Sequence, residues 1–352
     1  MNESVVSSHA VLNRGQSQQM GATLELVVAA AFWGFGFIAS IWALEALSPL
    51  MVTTSRFLLA GLFGTVLVFF LNKKSFKTLN WTQFRLAFVP GFLISTTLIF
   101  QTWGLQYTTA TKSGFITSLY VLIVPLLERF WLKRKINNYH FIYVGLALIG
   151  VAVICDLPQS LGLITRANAL DNKTDLFNFG DLLTLVCSII ASFHILWFDL
   201  NEKKIQSAFT FGIYQNIWAG IIPILIMLVL SLFPSDPFLQ VQTAHSNIFS
   251  FYPIVGLLIL VFGSTLLAFT LQIRAQRVLA PSVASILFLL ESPFAAIFAL
   301  VFLHEKLGPS QWVGGSLILF AAFLTTTKLR IPRSLVYWPW FRQALRRASW
   351  KL

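Results

Sequence analysis

The stretch Ala280-Pro281-Ser282-Val283-Ala284-Ser285-Ile286-Leu287-Phe288-Leu289-Leu290-Glu291-Ser292-Pro293-Phe294 runs on through apolar residues to Leu303, then meets His304, Glu305 and Lys306. As a helix this run is long enough to cross a hydrocarbon core of ~30 Å, and it opens on a proline, where one costs least. Glu291 is its one acid before Glu305 and falls about midway between Pro281 and His304. Insertion scales charge a carboxylate at such depth roughly 2.5 to 3.5 kcal/mol, so the side chain is expected to face a cavity. Pro293 has no N–H to donate and clashes with the carbonyl four residues back, which predicts a kink beside the acid. The stretch reads as the wall of a polar site at mid-membrane.

Composition agrees with that reading. With 57% hydrophobic residues, 11% charged residues and a mean hydropathy of +0.76, the chain has too few polar residues to cover a soluble globule. A formal charge of +12 does not point to nucleic acid, because the basic residues sit in short gaps between apolar runs and not on a folded polar face. Cys155 and Cys187 lie inside apolar runs without ligand or redox spacing, so two free thiols are expected and no metal or cofactor site.

Working outward from the opening stretch, nine further apolar runs appear: Thr23 to Leu44, Pro49 to Leu71, Trp81 to Leu105, Ala110 to Leu132, Phe141 to Cys155, Phe177 to Phe198, Ala208 to Phe233, Phe251 to Ile273 and Gln311 to Thr327. Together they predict an all-α integral membrane protein of about ten transmembrane helices, the fifth and tenth being the shortest. None alternates apolar with polar residues as a barrel strand would. Residues 1–21, rich in Ser, Gln and Asn, are expected to be a disordered cytoplasmic N-terminus. They lack the layout of a cleavable signal, since the first apolar run continues through Trp33, Phe37 and Trp42.

Basic residues set the orientation. With the N-terminus cytoplasmic, Lys73, Lys74, Lys77, Lys133, Arg134, Lys135, Lys203, Lys204, Arg274, Arg277 and the tail from Lys328 all fall inside. The outer side keeps only Arg56, Lys112, Arg166, Lys173 and Lys306. Such a bias predicts that both termini are cytoplasmic and that the number of spans is even.

The chain also repeats itself. A shift of 168 residues lays Thr96-Thr97-Leu98-Ile99 on Ser264-Thr265-Leu266-Leu267, Ser118-Leu119-Tyr120 on Ile286-Leu287-Phe288, and Pro125 on Pro293. With an odd number of spans in each half, the two copies would be inverted, a recurring plan of secondary transporters with sites at the repeat interface near the bilayer midplane.

Several stretches in order carry a family resemblance: Ala31-Phe32-Trp33-Gly34 with Ser48-Pro49 and Arg56-Phe57, Gly104-Leu105-Gln106-Tyr107 with Ser113-Gly114-Phe115-Ile116 and Val124-Pro125, Leu290-Glu291 with His304-Glu305-Lys306-Leu307, and Gly314-Gly315-Ser316. On these the chain resembles the drug/metabolite transporter superfamily, EamA type, over nearly all of Leu24 to Thr326. The resemblance implies two inverted five-helix repeats, a central cavity, and export or exchange of small metabolites. The expected division is residues 22–156 and 177–329 for the repeats, 157–176 for an outer loop and 330–352 for a basic aromatic cytoplasmic tail. The expected compartment is a bacterial inner (plasma) membrane. The chain departs from the family pattern where Ser292 separates Glu291 from Pro293, where Lys133-Arg134-Lys135 replaces an acid, and where Ala191-Ser192-Phe193-His194 replaces a tryptophan.

Candidate substrate or proton-binding residues are Glu291, Trp33, Gln101, Tyr107, Tyr120, His194, Gln272 and Phe288. Each has an alternative reading: Glu291 and His194 as hydrogen-bonded packing residues, Gln101 and Gln272 as interhelical bonds, and the aromatics, which the resemblance places in a cavity, as ordinary packing. Arg56 is expected to snorkel or pair with Glu45, Lys112 to snorkel outward, and Glu305 to cap or bind a loop; Pro125 and Pro293 are structural. Gly34 and Gly36 are expected to let a neighbouring helix approach closely.

The function expected from these residues is secondary active transport, export or exchange, of a small metabolite by alternating access, with Glu291 as the proton-coupling or the recognition group. A passive channel or facilitator is the alternative. No phosphate-binding loop, His-Glu-x-x-His or Gly-x-Ser-x-Gly motif occurs, so neither ATP hydrolysis nor an enzyme is expected. The partners expected are a small-molecule substrate and the lipid bilayer, and the residues leave oligomeric state open.

Overall fold

A computed structural model describes residues 3–71, 80–133, 139–155, 177–232, 249–279, 284 and 287–327. The expected outer loop at 157–176 and the tail at 330–352 lie outside them. The described residues form helices joined by short turns: α1 (Glu3–Leu44), α2 (Pro49–Leu71), α3 (Trp81–Leu86), α4 (Phe88–Gly104), α5 (Ala110–Thr117), α6 (Tyr120–Leu132), α7 (Tyr139–Ile154), α8 (Phe179–Asn201), α9 (Ala208–Leu230), α10 (Phe251–Leu258), a π-helical segment (Ile259–Leu267), α11 (Ala268–Ala275), α12 (Glu291–Phe302) and α13 (Pro309–Thr327).

Local chemistry sets many of the helix starts. Prolines open α2 and α13. Thr109 accepts a hydrogen bond from the Lys112 amide at the start of α5, and Asn178 forms a reciprocal capping box with Asp181 at the start of α8. The ten apolar runs all carry helix, and seven helical stretches among the described residues are long and apolar enough to cross a membrane. Side chains such as Leu62, Phe70, Leu228 and Ile297 point outward and are more than half exposed, as an apolar surface facing lipid requires. The chain is an integral membrane protein.

One expectation about helix limits is corrected. The N-terminal segment is helical, because α1 begins at Glu3. Ser, Gln and Ala residues without an interrupting proline can extend a helix already nucleated by the first span, and extension costs far less than nucleation. In the opening stretch, the helix is interrupted beside the acid as expected, at a Leu289-Leu290 turn directly ahead of Glu291. Pro293 cannot donate to the Leu289 carbonyl, so Ser292 N takes that oxygen at 3.3 Å while Leu290 N takes the Leu287 carbonyl at 3.2 Å. Pro293 then sits in the first turn of α12, where its missing N–H costs little. The fourth span breaks similarly at Ser118-Leu119, with Leu119 N on the Ile116 carbonyl at 3.1 Å, and Pro125 lies inside α6.

The second half repeats the element order of the first, but no single shift of 168 relates them. Helices α2 and α9 each have 23 residues, and Pro49 falls on Ala208 and Ala60-Gly61 on Ala219-Gly220, a shift of 159. From Gly104 and Ala275 onward the shift is 171. The connection after α9 is eleven residues longer than that after α2, and the π-helical segment takes up one more: Phe251–Ala275 has 25 residues where Trp81–Gly104 has 24.

Packing between halves is reciprocal. A side chain at Gly61 would meet Ile217, and one at Gly220 would meet Leu58, the same contact read from the other half. Likewise Gly150 abuts Gly314 and Ile318, while Gly314 abuts Gly150 and Ile154. Helix α1 packs on α10, the π segment, α11 and α12, as α8 packs on α4, α5 and α6. Gly34 and Gly36 lie where close approach was expected: a Cβ on Gly34 would stand 2.6 Å from Phe294 Cβ, and one on Gly36 would stand 2.8 Å from Ser264 Oγ.

Candidate functional site

Where the two halves meet, a cavity of about 80 Å³ is lined by residues of α1, α2, α4, α5, α6, α8, the π segment, α11 and α12. That is room for several waters or a small solute. Seven of the eight candidate residues line it: Trp33, Gln101, Tyr120, His194, Gln272, Phe288 and Glu291. The helix breaks deliver two of them, since Tyr120 is the first residue of α6 and Glu291 the first of α12.

Glu291 is buried and accepts a hydrogen bond from Tyr120 Oη at 3.1 Å; the same hydroxyl lies 3.2 Å from the Phe288 carbonyl. Trp33 packs between Phe269 and Phe288 with ring centroids 5.6 Å from each, which forms an aromatic wall. Gln101 donates through Nε2 to Thr117 Oγ1 at 3.4 Å, in line with the interhelical reading of its amide. His194 is buried against Phe198 and Phe269. Gln215 is the polar side chain placed towards it, yet His194 Nε2, both amide atoms of Gln215 and Trp33 Nε1 make no hydrogen bond within the described residues. Buried polar atoms left in this way are costly unless a solute or water completes them.

Tyr107 stands apart. It lies on the turn after α4, is 37% exposed, and packs edge-on against Phe179 with centroids 5.7 Å apart. Arg56 moves the other way. It was expected to snorkel or to pair with Glu45, but it is 2% exposed and lines the cavity, donating through Nε to Thr265 Oγ1 at 3.0 Å and through Nη2 to Ser264 Oγ at 2.9 Å. Seven residues into α2, it is too deep to reach the boundary easily, and the π segment presents two hydroxyls to it.

Lys112 is corrected in the same sense. It is fully buried and pairs with Asp181 at 2.9 Å, and Asp181 also accepts from Thr108 Oγ1 and Asn178 N. Glu305 reaches across to the start of α5, where its carboxylate accepts from Ala110 N at 2.9 Å, Thr111 N at 3.3 Å and Thr111 Oγ1 at 2.6 Å. It therefore caps the fourth span, not its own. Sequence reasoning passed over Ser264, Thr265 and Thr117 as site residues. Ser264-Thr265 stood out as a repeat match, but nothing in a linear reading joined it to Arg56. Cys155 and Cys187 are buried and in no disulfide, and among the described residues no three of His, Cys, Asp and Glu converge.

A breached pair of helices, a polar cavity between two halves and a surface facing lipid are features of a membrane carrier, and comparison with known proteins agrees. The chain belongs to the EamA-like transporter family, which it matches twice, over residues 20–155 and 178–327. It is 29% identical over 312 residues to an uncharacterized transporter of Archaeoglobus fulgidus, covering 89% of this chain and 88% of that one. It is 31% identical over 140 residues to the uncharacterized transporter YetK of Bacillus subtilis, covering 39% and 42% of the two chains. A solved crystal structure shares the fold with a TM-score of 0.56 at 18% identity, over 87% of this chain and 96% of the other.

Proposed function

We propose that this protein is a secondary transporter that moves a small metabolite by alternating access through the cavity at the Tyr120–Glu291 pair, with Glu291 as the recognition or proton-coupling group. The observation that carries the reading is a buried carboxylate at a helix break, held by one tyrosine hydroxyl and open to a cavity built from both halves. A cavity placed between two halves that pack reciprocally is where rocking of one half against the other would change access.

The halves are five-span repeats of opposite orientation, in a chain of ten spans with cytoplasmic termini in a bacterial inner membrane. Support comes from the twofold family match, the reciprocal glycine contacts and the bias of basic residues. Contacts agree with the assigned sides: Arg274 with Glu25 and Arg277 with the Ile205 carbonyl inside, Lys112 with Asp181 and Glu305 with Thr111 outside.

The test is uptake and counterflow of a pooled metabolite mixture in proteoliposomes, for wild type and Glu291→Gln, with and without a pH gradient. Saturable counterflow supports a carrier, and non-saturable leakage favours the passive channel. Loss of pH dependence in Glu291→Gln with exchange retained identifies the proton site. Wild-type behaviour of the variant removes the coupling role.

A further inference from the structure

Arg56 is a guanidinium deep in the fold with five N–H donors and no acid beside it. Two donors are used, by the neutral hydroxyls of Thr265 and Ser264. No carboxylate among the described residues lies within 4.0 Å of it, and Glu291 on the same cavity is engaged by Tyr120 instead. Its other donors, Nη1 included, have no hydrogen bond among the described residues, and Arg56 lines the cavity. A buried charge without a counter-charge is among the more expensive things a protein can keep, and this one is held in a fixed pose by two hydroxyls.

Helix packing does not require that charge. Under the shift that superposes α2 on α9, the position of Arg56 is taken by Gln215, so the same crossing is made in the second half by a neutral side chain. The two hydroxyls come from neighbouring residues of the π-helical segment, whose wider turn brings consecutive side chains closer to one face. Such segments recur at functional sites. A planar fork with free donors matches a carboxylate or a phosphate, and the aromatic wall of Trp33, Phe269 and Phe288 lies on the same cavity.

We infer that Arg56 is an oxyanion-recognition residue and that the solute carried in this cavity is an organic anion, a carboxylate or phosphate on a small apolar or aromatic body. This rests on reading the cavity as the substrate site. Glu291 then discriminates at another part of the solute, and Ser264 and Thr265 are positioning residues that aim the guanidinium.

The test uses the full chain in neutral detergent micelles, with phenylacetate, phenyl phosphate and the uncharged phenylacetamide as probes. Apparent affinity is read from thermal unfolding against probe concentration. At least one anion is expected to bind wild type about tenfold or more tighter than the amide, and the tighter of the two identifies carboxylate or phosphate chemistry. Arg56→Gln should abolish the preference, and Arg56→Lys, a point charge without the fork, should keep part of it. Where Arg56→Gln does not fold, Ser264→Ala combined with Thr265→Val should reduce the preference severalfold. Equal binding of anion and amide, no binding of either anion, or a preference unchanged in these variants overturns the inference. A merely structural arginine would lower the unfolding temperature and leave the ratio unmoved. Counterflow of the same probes separates the two readings: Arg56-dependent binding without exchange retires the transport mechanism, and exchange without an Arg56-dependent preference retires the anion site alone.

Discussion

Tyr120 and Glu291 occupy equivalent places in the two halves, 171 residues apart, each the first residue after a helix break, and they hydrogen-bond to one another at 3.1 Å. A hydrogen bond to a charged acceptor contributes about 1.5 to 3 kcal/mol, enough to decide whether the carboxylate keeps its pose. Tyr120→Phe is expected to fold and to lose about tenfold or more in counterflow. Adding it to Glu291→Gln should cost much less than it does alone, a non-additivity that a double-mutant cycle of exchange rates measures.

Lys112 and Asp181 form a fully buried ion pair tying α5 to the start of α8. Removing one partner leaves a stranded charge, so Lys112→Met or Asp181→Leu alone should destabilise by about 3 to 5 kcal/mol, and the double substitution should recover most of that. Thermal unfolding in detergent reads the difference. Two single losses that simply add would show that the pair is not coupled.

Gly34 faces backbone as well as a side chain, with its absent Cβ 2.6 Å from Phe294 Cβ and 2.8 Å from Ala295 N, whereas Gly145 has nothing within 4 Å. Gly34→Ala should therefore cost about 1 to 3 kcal/mol by forcing α1 from α12. Gly145→Ala should be neutral or gain up to about 1 kcal/mol from helix propensity. Unfolding midpoints of the two variants, compared side by side, check the contrast.

Glu305 satisfies the first amides of α5 from across the bundle. Glu305→Ala should lower stability by about 1 to 2 kcal/mol, in the range of other lost caps. Amide hydrogen exchange should rise locally at Ala110 and Thr111 and stay unchanged at the start of α9. A uniform rise would mean that the residue acts on the whole fold.

Much of the fold was legible because apolar runs of the right length are a direct signature of membrane helices, and the runs read from the sequence all carry helix. The cavity was legible for a related reason: polar side chains such as Glu291, Gln101, His194 and Gln272 are conspicuous in such runs. Arg56 and Lys112 were misread because snorkelling is judged from depth alone, and their partners, Ser264 and Thr265 for one and Asp181 for the other, are brought to them only by tertiary packing. The repeat shift was misjudged because loop lengths and the π-helical residue change it between spans, which an ungapped comparison cannot register. Tyr107 was placed in the cavity by analogy, and its position on a turn beyond α4 puts it at the rim of the helix ends.

Reciprocal packing makes the Tyr120–Glu291 contact a meeting of a position with its own counterpart. In an assembly of two identical half-chains that place would hold two tyrosines or two glutamates, one choice without a carboxylate and the other setting like charges together. A tyrosine facing a glutamate there requires halves of unlike sequence, which this single chain supplies. The contact thus depends on the two halves differing in sequence at this place, as they also differ where Arg56 in α2 has Gln215 as its counterpart in α9.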